Sequence, residues 1–145
     1  ASPLYAAWGS RGDDVSLCAP SEEDGSAVIP RLRMDGRAVF RFAIEMLPAC
    51  TKKVLERAGI EASQVDRFVF HQANQRIVDV AVKKLGVDPA RCGGNIARTG
   101  NTSAASVAIL LDELCRTGAL ASGERALCVG FGAGLTWAGA LLERA

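Results

Sequence analysis

The sequence predicts an α/β protein, a mixed sheet with helices packed against it. Three observations carry that prediction. From about Arg37 to Ala58, the residues Ala38, Val39, Phe42, Ala43, Met46, Leu47, Cys50, Val54 and Leu55 recur at helical spacing and form one apolar face. Between this helix and the next lies a short run, Arg67 to His71, in which Phe68, Val69 and Phe70 are apolar at successive positions. Such a run suits a strand buried on both faces. The chain then closes with two strand-like runs joined by four glycine-rich residues. The order strand, strand, helix, strand, helix, helix, strand, strand fits helices laid on a sheet.

Each element follows from local chemistry. Leu4 to Trp8 and Val15 to Cys18 read as short strands, and the turn Gly9-Ser10-Arg11-Gly12 between them predicts a hairpin. Ala19 to Ile29 is polar and rich in turn formers, which reads as an exposed loop. In the long helix Pro48 predicts a kink or a break, and Gly59 is placed to end it. A second helix is expected from about Asn74 to Leu85, stopped by Gly86. A third is expected from about Thr102 to Thr117, stopped by Gly118. Its stretch Ala104 to Leu111 is apolar or small except at Ser106. A helix apolar all round is expected to lie buried between layers. The last two strands are expected at about Arg125 to Gly130 and Leu135 to Leu142, with Phe131-Gly132-Ala133-Gly134 between them.

Composition narrows the class. Of the 145 residues 49% are hydrophobic and 23% charged, enough for a globular core. A net charge of +1 gives no strong field toward nucleic acid or a membrane surface, and no apolar run is long enough to span a bilayer. Neither nucleic acid nor membrane is therefore expected as a partner. The first residues lack the basic and apolar regions of a signal peptide and lack an initiator Met, so the sequence reads as a fragment or a processed piece. The five cysteines, Cys18, Cys50, Cys92, Cys115 and Cys128, are odd in number and show no C-x-x-C spacing. No metal site or disulfide framework is expected, and the cytoplasm is the natural compartment.

Three turns could carry chemistry. His71, the single histidine, closes the apolar strand just before Gln72-Ala73-Asn74-Gln75 opens a helix. Sites in open α/β sheets collect at the carboxyl ends of strands. By position alone, a structural strand cap and a functional imidazole are equally well supported. Asn101, Thr102 and Ser103 follow Gly100 and are all good helix N-caps, so simple capping explains them best. Gly130-Phe131-Gly132-Ala133-Gly134 has G-x-G-x-G spacing and leads into a strand rather than a helix, which fits a tight turn better than a nucleotide fingerprint. Together, an imidazole, a primary amide and backbone N–H groups make a set of neutral donors able to stabilise negative charge on a thioester oxygen. No G-x-S-x-G elbow accompanies them.

These motifs resemble a known family. His71-Gln72-Ala73-Asn74, Gly100-Asn101-Thr102-Ser103-Ala104-Ala105-Ser106 and Gly130-Phe131-Gly132-Ala133-Gly134-Leu135-Thr136-Trp137 are similar to segments of β-ketoacyl-acyl carrier protein synthase III. Met34-Asp35-Gly36-Arg37-Ala38-Val39-Phe40 resembles that family's M-x-G-x-x-V-F segment. The resemblance runs in the family's order over nearly the whole chain. It implies a thiolase-like fold, with this chain forming most of the C-terminal half of a five-layered α/β/α/β/α sandwich. It also implies a homodimer.

The implied reaction is a decarboxylative Claisen condensation of an acyl-CoA with malonyl-acyl carrier protein, both substrates, with no cofactor. His71 and Asn101 match the catalytic His and Asn. The nucleophilic Cys belongs to the N-terminal half of the same enzyme, and none of the five cysteines here stands in its motif. Gly36 and Asn74 correspond to residues near the CoA pantetheine arm. Phe131 corresponds to the aromatic group beside the nucleophile, and Ala133 N–H to an oxyanion donor. Gln72, Ala73, Asn74, Gln75 and Arg76 match a carrier-protein contact segment, with Arg76 its positive charge. Thr99 and Ala138 depart from residues frequent in the family, which bears on acyl-chain preference. A polyketide or alkylquinolone-type synthase, or a non-catalytic partner subunit, is the alternative reading.

Overall fold

A four-stranded mixed sheet organises the chain. The computed structural model describes residues 4–6, 15–18 and 31–145, with side chains from Met34 onward. Strands β1 (Leu4–Ala6), β4 (Arg67–Phe70), β5 (Arg125–Gly132) and β6 (Thr136–Glu143) lie in the order β1-β6-β5-β4. β4 and β5 are parallel, while β5–β6 and β6–β1 are antiparallel. β2 (Val15–Cys18) and β3 (Arg31–Met34) form a separate antiparallel pair.

That arrangement corrects the expected hairpin. β1 and β2 do not pair; β1 joins β6 at Tyr5↔Ala138, and β2 joins β3 at Leu17↔Leu32. Strands this short have little to pair with each other, and each finds its partner far along the chain. β3 was not foreseen. The expected turn at Gly9–Gly12 and the loop at Ala19–Ile29 lie outside the described residues.

Helix α1 (Gly36–Ala58) is opened by Asp35, whose carboxylate accepts from the N–H groups of Arg37 and Ala38 at 2.9 and 3.0 Å. Those bonds hold the exposed Asp35 carboxyl below its usual range. Gly59, at φ 66°, closes the helix by donating to Leu55 and Glu56 carbonyls, a left-handed geometry that glycine adopts freely. Gly86 ends α2 (Gln75–Leu85) in the same way. The break expected at Pro48 does not occur, and α1 runs through it as one helix. Pro48 lies within the buried face, where Ala43, Leu47 and Cys50 pack at 0–1% exposure. Tertiary packing of this face outweighs the one backbone bond that proline removes.

The helices cover both faces of the sheet. On one face α1 and α2 pack against Phe68, Phe70, Leu127, Val129 and Trp137. On the other, Leu110 of α4 (Ser106–Arg116) packs with Val69, Leu120, Ala126 and Cys128. Phe68, Val69 and Phe70 are all fully buried, because alternate side chains of β4 meet opposite layers. Gly139 of β6 faces α1 so closely that a Cβ there would sit 2.6 Å from Cys50 Sγ and 2.8 Å from Val54 Cγ2.

Two further corrections concern α4. The helix begins at Ser106 rather than Thr102, after a 3-10 turn over Ser103–Ala105. It is also not buried all round. Only Ser106 and Leu110 are buried, while Ala104, Ala105 and Ala108 are exposed. One face meets the sheet, and nothing among the described residues covers the other.

Candidate active site

The parallel strands β4 and β5 end side by side, and the site grows from their carboxyl ends. His71 follows directly on β4. Its backbone N–H still bonds Val129 of β5 at 2.9 Å, so the strand pairing fixes where its side chain starts. The imidazole is 8% exposed and held on two sides. Nδ1 lies 2.5 Å from Ser106 Oγ, at the start of α4. The ring also meets Phe131 of β5 edge to face, with centroids 4.9 Å apart. Phe131 in turn packs edgewise against Phe42 of α1 at 6.3 Å. Burial pushes the His71 pKa below its ordinary 6.5, so the ring is neutral at pH 7.

The partner groups of His71 leave one atom open. Among the described residues, the only buried side-chain nitrogen or oxygen without a hydrogen-bond partner is Trp137 Nε1. His71 Nε2 has no partner among the described residues and is not such a buried orphan, so it reaches the surface.

Asn101 approaches through the same turn that ends in Ser106. Its Oδ1 accepts from the Ser103 N–H at 2.8 Å, and Ser103 takes a positive φ of 53°. The side chain does cap, as its residue type suggests, but it caps the turn before α4; the helix itself has no side-chain cap. With Oδ1 held, the exposed amide NH₂ has no acceptor among the described residues and remains a donor.

Gln72 behaves differently from expectation. It was placed at a carrier-protein contact, yet it is 1% exposed and its amide is fully used inside the protein. Nε2 donates to the Phe70 carbonyl at 2.8 Å, and Oε1 accepts from the Asn95 N–H at 3.1 Å. β4 is an edge of the sheet, and the outward carbonyl of Phe70 would otherwise lack a partner. Its neighbour, the Phe68 carbonyl, is satisfied by the Gly93 N–H. Gln72 thus closes the edge and ties the His71 turn to the segment leading into the short helix α3 (Ile96–Thr99) and on to Asn101. The Gln72 side chain is thus committed to the interior of this chain.

The remaining residues occupy the surface. Asn74 is the N-cap of α2, accepting from the Arg76 N–H at 2.9 Å. Gln75 bonds Asp79 within the same helix, and Arg76 is exposed with no ion pair among the described residues. Ala73 is half-buried. Gly36 opens α1 at the surface. Ala133 lies exposed in the 3-10 turn joining β5 and β6, where Gly134 has φ 74° and Leu135 φ 50°. The structure therefore joins His71, Phe131 and Ser106 into one cluster, with the Asn101 turn a few residues before Ser106, while Gly36 and Arg76 stand outside its hydrogen bonds.

Ser106 is the residue that sequence reasoning missed. It was the lone polar group in the apolar run, and that was its only signal. Burial pushes the Cys50, Cys92 and Cys128 thiols up to about 11. No helix among the described residues is long and apolar enough to cross a membrane.

Residues 55–144 match the family model described as 3-oxoacyl-[acyl-carrier-protein] synthase III C terminal. A β-ketoacyl-[acyl-carrier-protein] synthase III of Microcystis aeruginosa is 46% identical over 112 residues, 77% of this chain and 34% of that protein. The crystal structure of the Thermus thermophilus synthase III superposes with a TM-score of 0.90 at 39% identity, covering 99% of this chain and 46% of that one. The priming β-ketosynthase of the R1128 polyketide pathway superposes at 0.87 with 41% identity, over 98% and 44% of the two chains. The chain spans about a third of the length of the curated relatives it matches.

Proposed function

The chain belongs to the 3-oxoacyl-[acyl-carrier-protein] synthase III C-terminal family, and on that premise we propose that it carries the decarboxylating half of a condensing site. Its fold is the thiolase-like α/β arrangement with a mixed sheet. The reaction begins when a cysteine thiolate attacks an acyl-CoA, forming an acyl thioester and releasing CoA. Malonyl-acyl carrier protein then loses carbon dioxide, and the electron pair left behind forms an enolate on its thioester. The enolate carbon attacks the acyl group and expels the cysteine. The cysteine in this scheme lies outside these 145 residues, in the N-terminal half of the enzyme.

The observation that carries the reading is the state of His71: buried, neutral, and pinned by Ser106 and Phe131 with Nε2 open. A fixed neutral donor stabilises an enolate oxygen with little reorganisation. Asn101 supplies the second donor, its amide aimed by the bond from Ser103. The Ala133 N–H serves the tetrahedral oxyanion, and Phe131 walls the cysteine. Gly36 and Asn74 border the pantetheine arm. Ala73, Asn74, Gln75 and the Arg76 cation receive the carrier protein, and the enzyme works as a homodimer.

The test is Asn101→Ala in the full-length protein. Malonyl decarboxylation should fall by about 10²–10³-fold, while acylation of the cysteine by acyl-CoA stays near wild type. Normal decarboxylation in that variant refutes the assigned role. A second reading, priming of a polyketide chain, draws on the 41% identity to the R1128 priming enzyme. Both readings use the same site, and profiling of acyl-CoA and carrier-protein substrates separates them.

A further inference from the structure

A hydrogen-bond count at Ser106 determines more than a contact. The hydroxyl is 1% exposed. It has two polar neighbours, His71 Nδ1 at 2.5 Å and the Gln72 backbone N–H at 3.3 Å. A backbone N–H can only donate, so Ser106 Oγ accepts from Gln72. The hydroxyl proton still needs an acceptor, and a buried donor left without one is costly. Among the described residues, Nδ1 of His71 is the only acceptor beside it. If Nδ1 carried the proton instead, two N–H groups would converge on one oxygen and the hydroxyl proton would have no place to go.

We propose that Ser106 is a positioning residue that fixes His71 in its Nε2–H tautomer, donating its hydroxyl to Nδ1 while the Gln72 N–H holds its oxygen. The ring nitrogen that reaches the surface then carries the proton. A tautomer set in advance makes His71 a donor before substrate arrives. Two further features hold the arrangement. Phe131 meets the ring edge to face and limits its rotation. Gln72 is itself anchored at Phe70 and Asn95, so the N–H that Ser106 depends on cannot swing away. The catalytic consequence rests on the function proposed above; the tautomer does not.

The experiment is nitrogen NMR on full-length protein labelled with [15N]histidine, with the His71 signals identified by their loss in His71→Gln. Wild type should show one species, protonated at Nε2 and bare at Nδ1. Ser106→Ala should admit the Nδ1–H form and lower malonyl decarboxylation by roughly 10- to 100-fold, short of the full loss of a donor, with cysteine acylation spared. Ser106→Thr, which keeps the hydroxyl, should restore the single Nε2–H species and most of the rate. An Nδ1–H ring in wild type overturns the proposal, whatever the variants do. So does an unchanged tautomer in Ser106→Ala. If the tautomers behave as expected but Asn101→Ala decarboxylates normally, the function reading fails and the role of Ser106 on the ring stands.

Discussion

Replacing Gln72 by Ala should destabilise the protein more than any single exposed substitution near the site. The side chain is 1% exposed and makes two bonds, to the Phe70 carbonyl and from the Asn95 N–H. Truncation leaves both backbone groups buried and unpaired, at about 1–3 kcal/mol each. The freed side-chain entropy returns up to about 2 kcal/mol. With about 2 kcal/mol for each orphaned group and about 1–2 kcal/mol returned, a net loss of about 2–3 kcal/mol follows. Gln72→Glu sharpens the test because it keeps the volume. One carboxyl oxygen still accepts from Asn95, but the atom facing Phe70 can donate only when protonated. The folded-state pKa of that Glu is therefore raised above its unfolded value of about 4.3. Its favourable contribution is present below that unfolded value and is lost as pH rises through the folded pKa. Urea unfolding of wild type and both variants at several pH values reads this directly. The Glu variant should approach wild type in acid and fall behind it at neutral pH. A Gln72→Ala cost under about 1 kcal/mol, or a Glu variant indifferent to pH, would refute the edge-closing role.

Two other predictions concern packing and protonation. Gly139→Ala places a methyl 2.6 Å from Cys50 Sγ and 2.8 Å from Val54 Cγ2, which should cost about 1–3 kcal/mol of overpacking; thermal unfolding should show the loss, and Cys50→Ala should recover part of it. His71 has a folded pKa lowered from 6.5 by burial, so its neutral form adds stability above 6.5 that is lost as pH falls through the folded value. On the function proposed above, the decarboxylation rate of the full-length protein should accordingly hold level as pH drops past 6.5, with its acid limb below that point; an acid midpoint above 6.5 contradicts the burial argument.

Local signals in the sequence were read well. The apolar face of α1, the doubly buried Phe68-Val69-Phe70, the start of α2 near Asn74 and the Gly59 and Gly86 stops all follow from spacing within a few residues. Readings that depended on distant partners fared worse. β1 and β2 looked like a hairpin because they are neighbours in sequence, but each pairs elsewhere. Pro48 signals a break by local propensity, and the packed face around it overrides that signal. Gln72 looked like a surface residue because its motif did, yet the open edge of β4 draws it inward. Ser106 could not be tied to His71, 35 residues away, until the fold brought them together. The motif resemblance located His71 and Asn101, and only the geometry shows what holds each of them.

The parallel pairing of β4 with β5 also bears on how the protein reaches its working state. Asp66 and Arg125 meet across a separation of 59 residues, and His71 and Phe131 come together through the same pairing. Non-local strand pairing of this kind closes slowly, because chain entropy is lost before contacts repay it. Helices α1 and α2 can form early from local contacts, but the His71–Phe131 contact cannot exist until the two strands have found each other. A refolding chain would therefore recover helical signal before the His71–Phe131 contact forms. The interval between them would measure the time needed to zip the sheet.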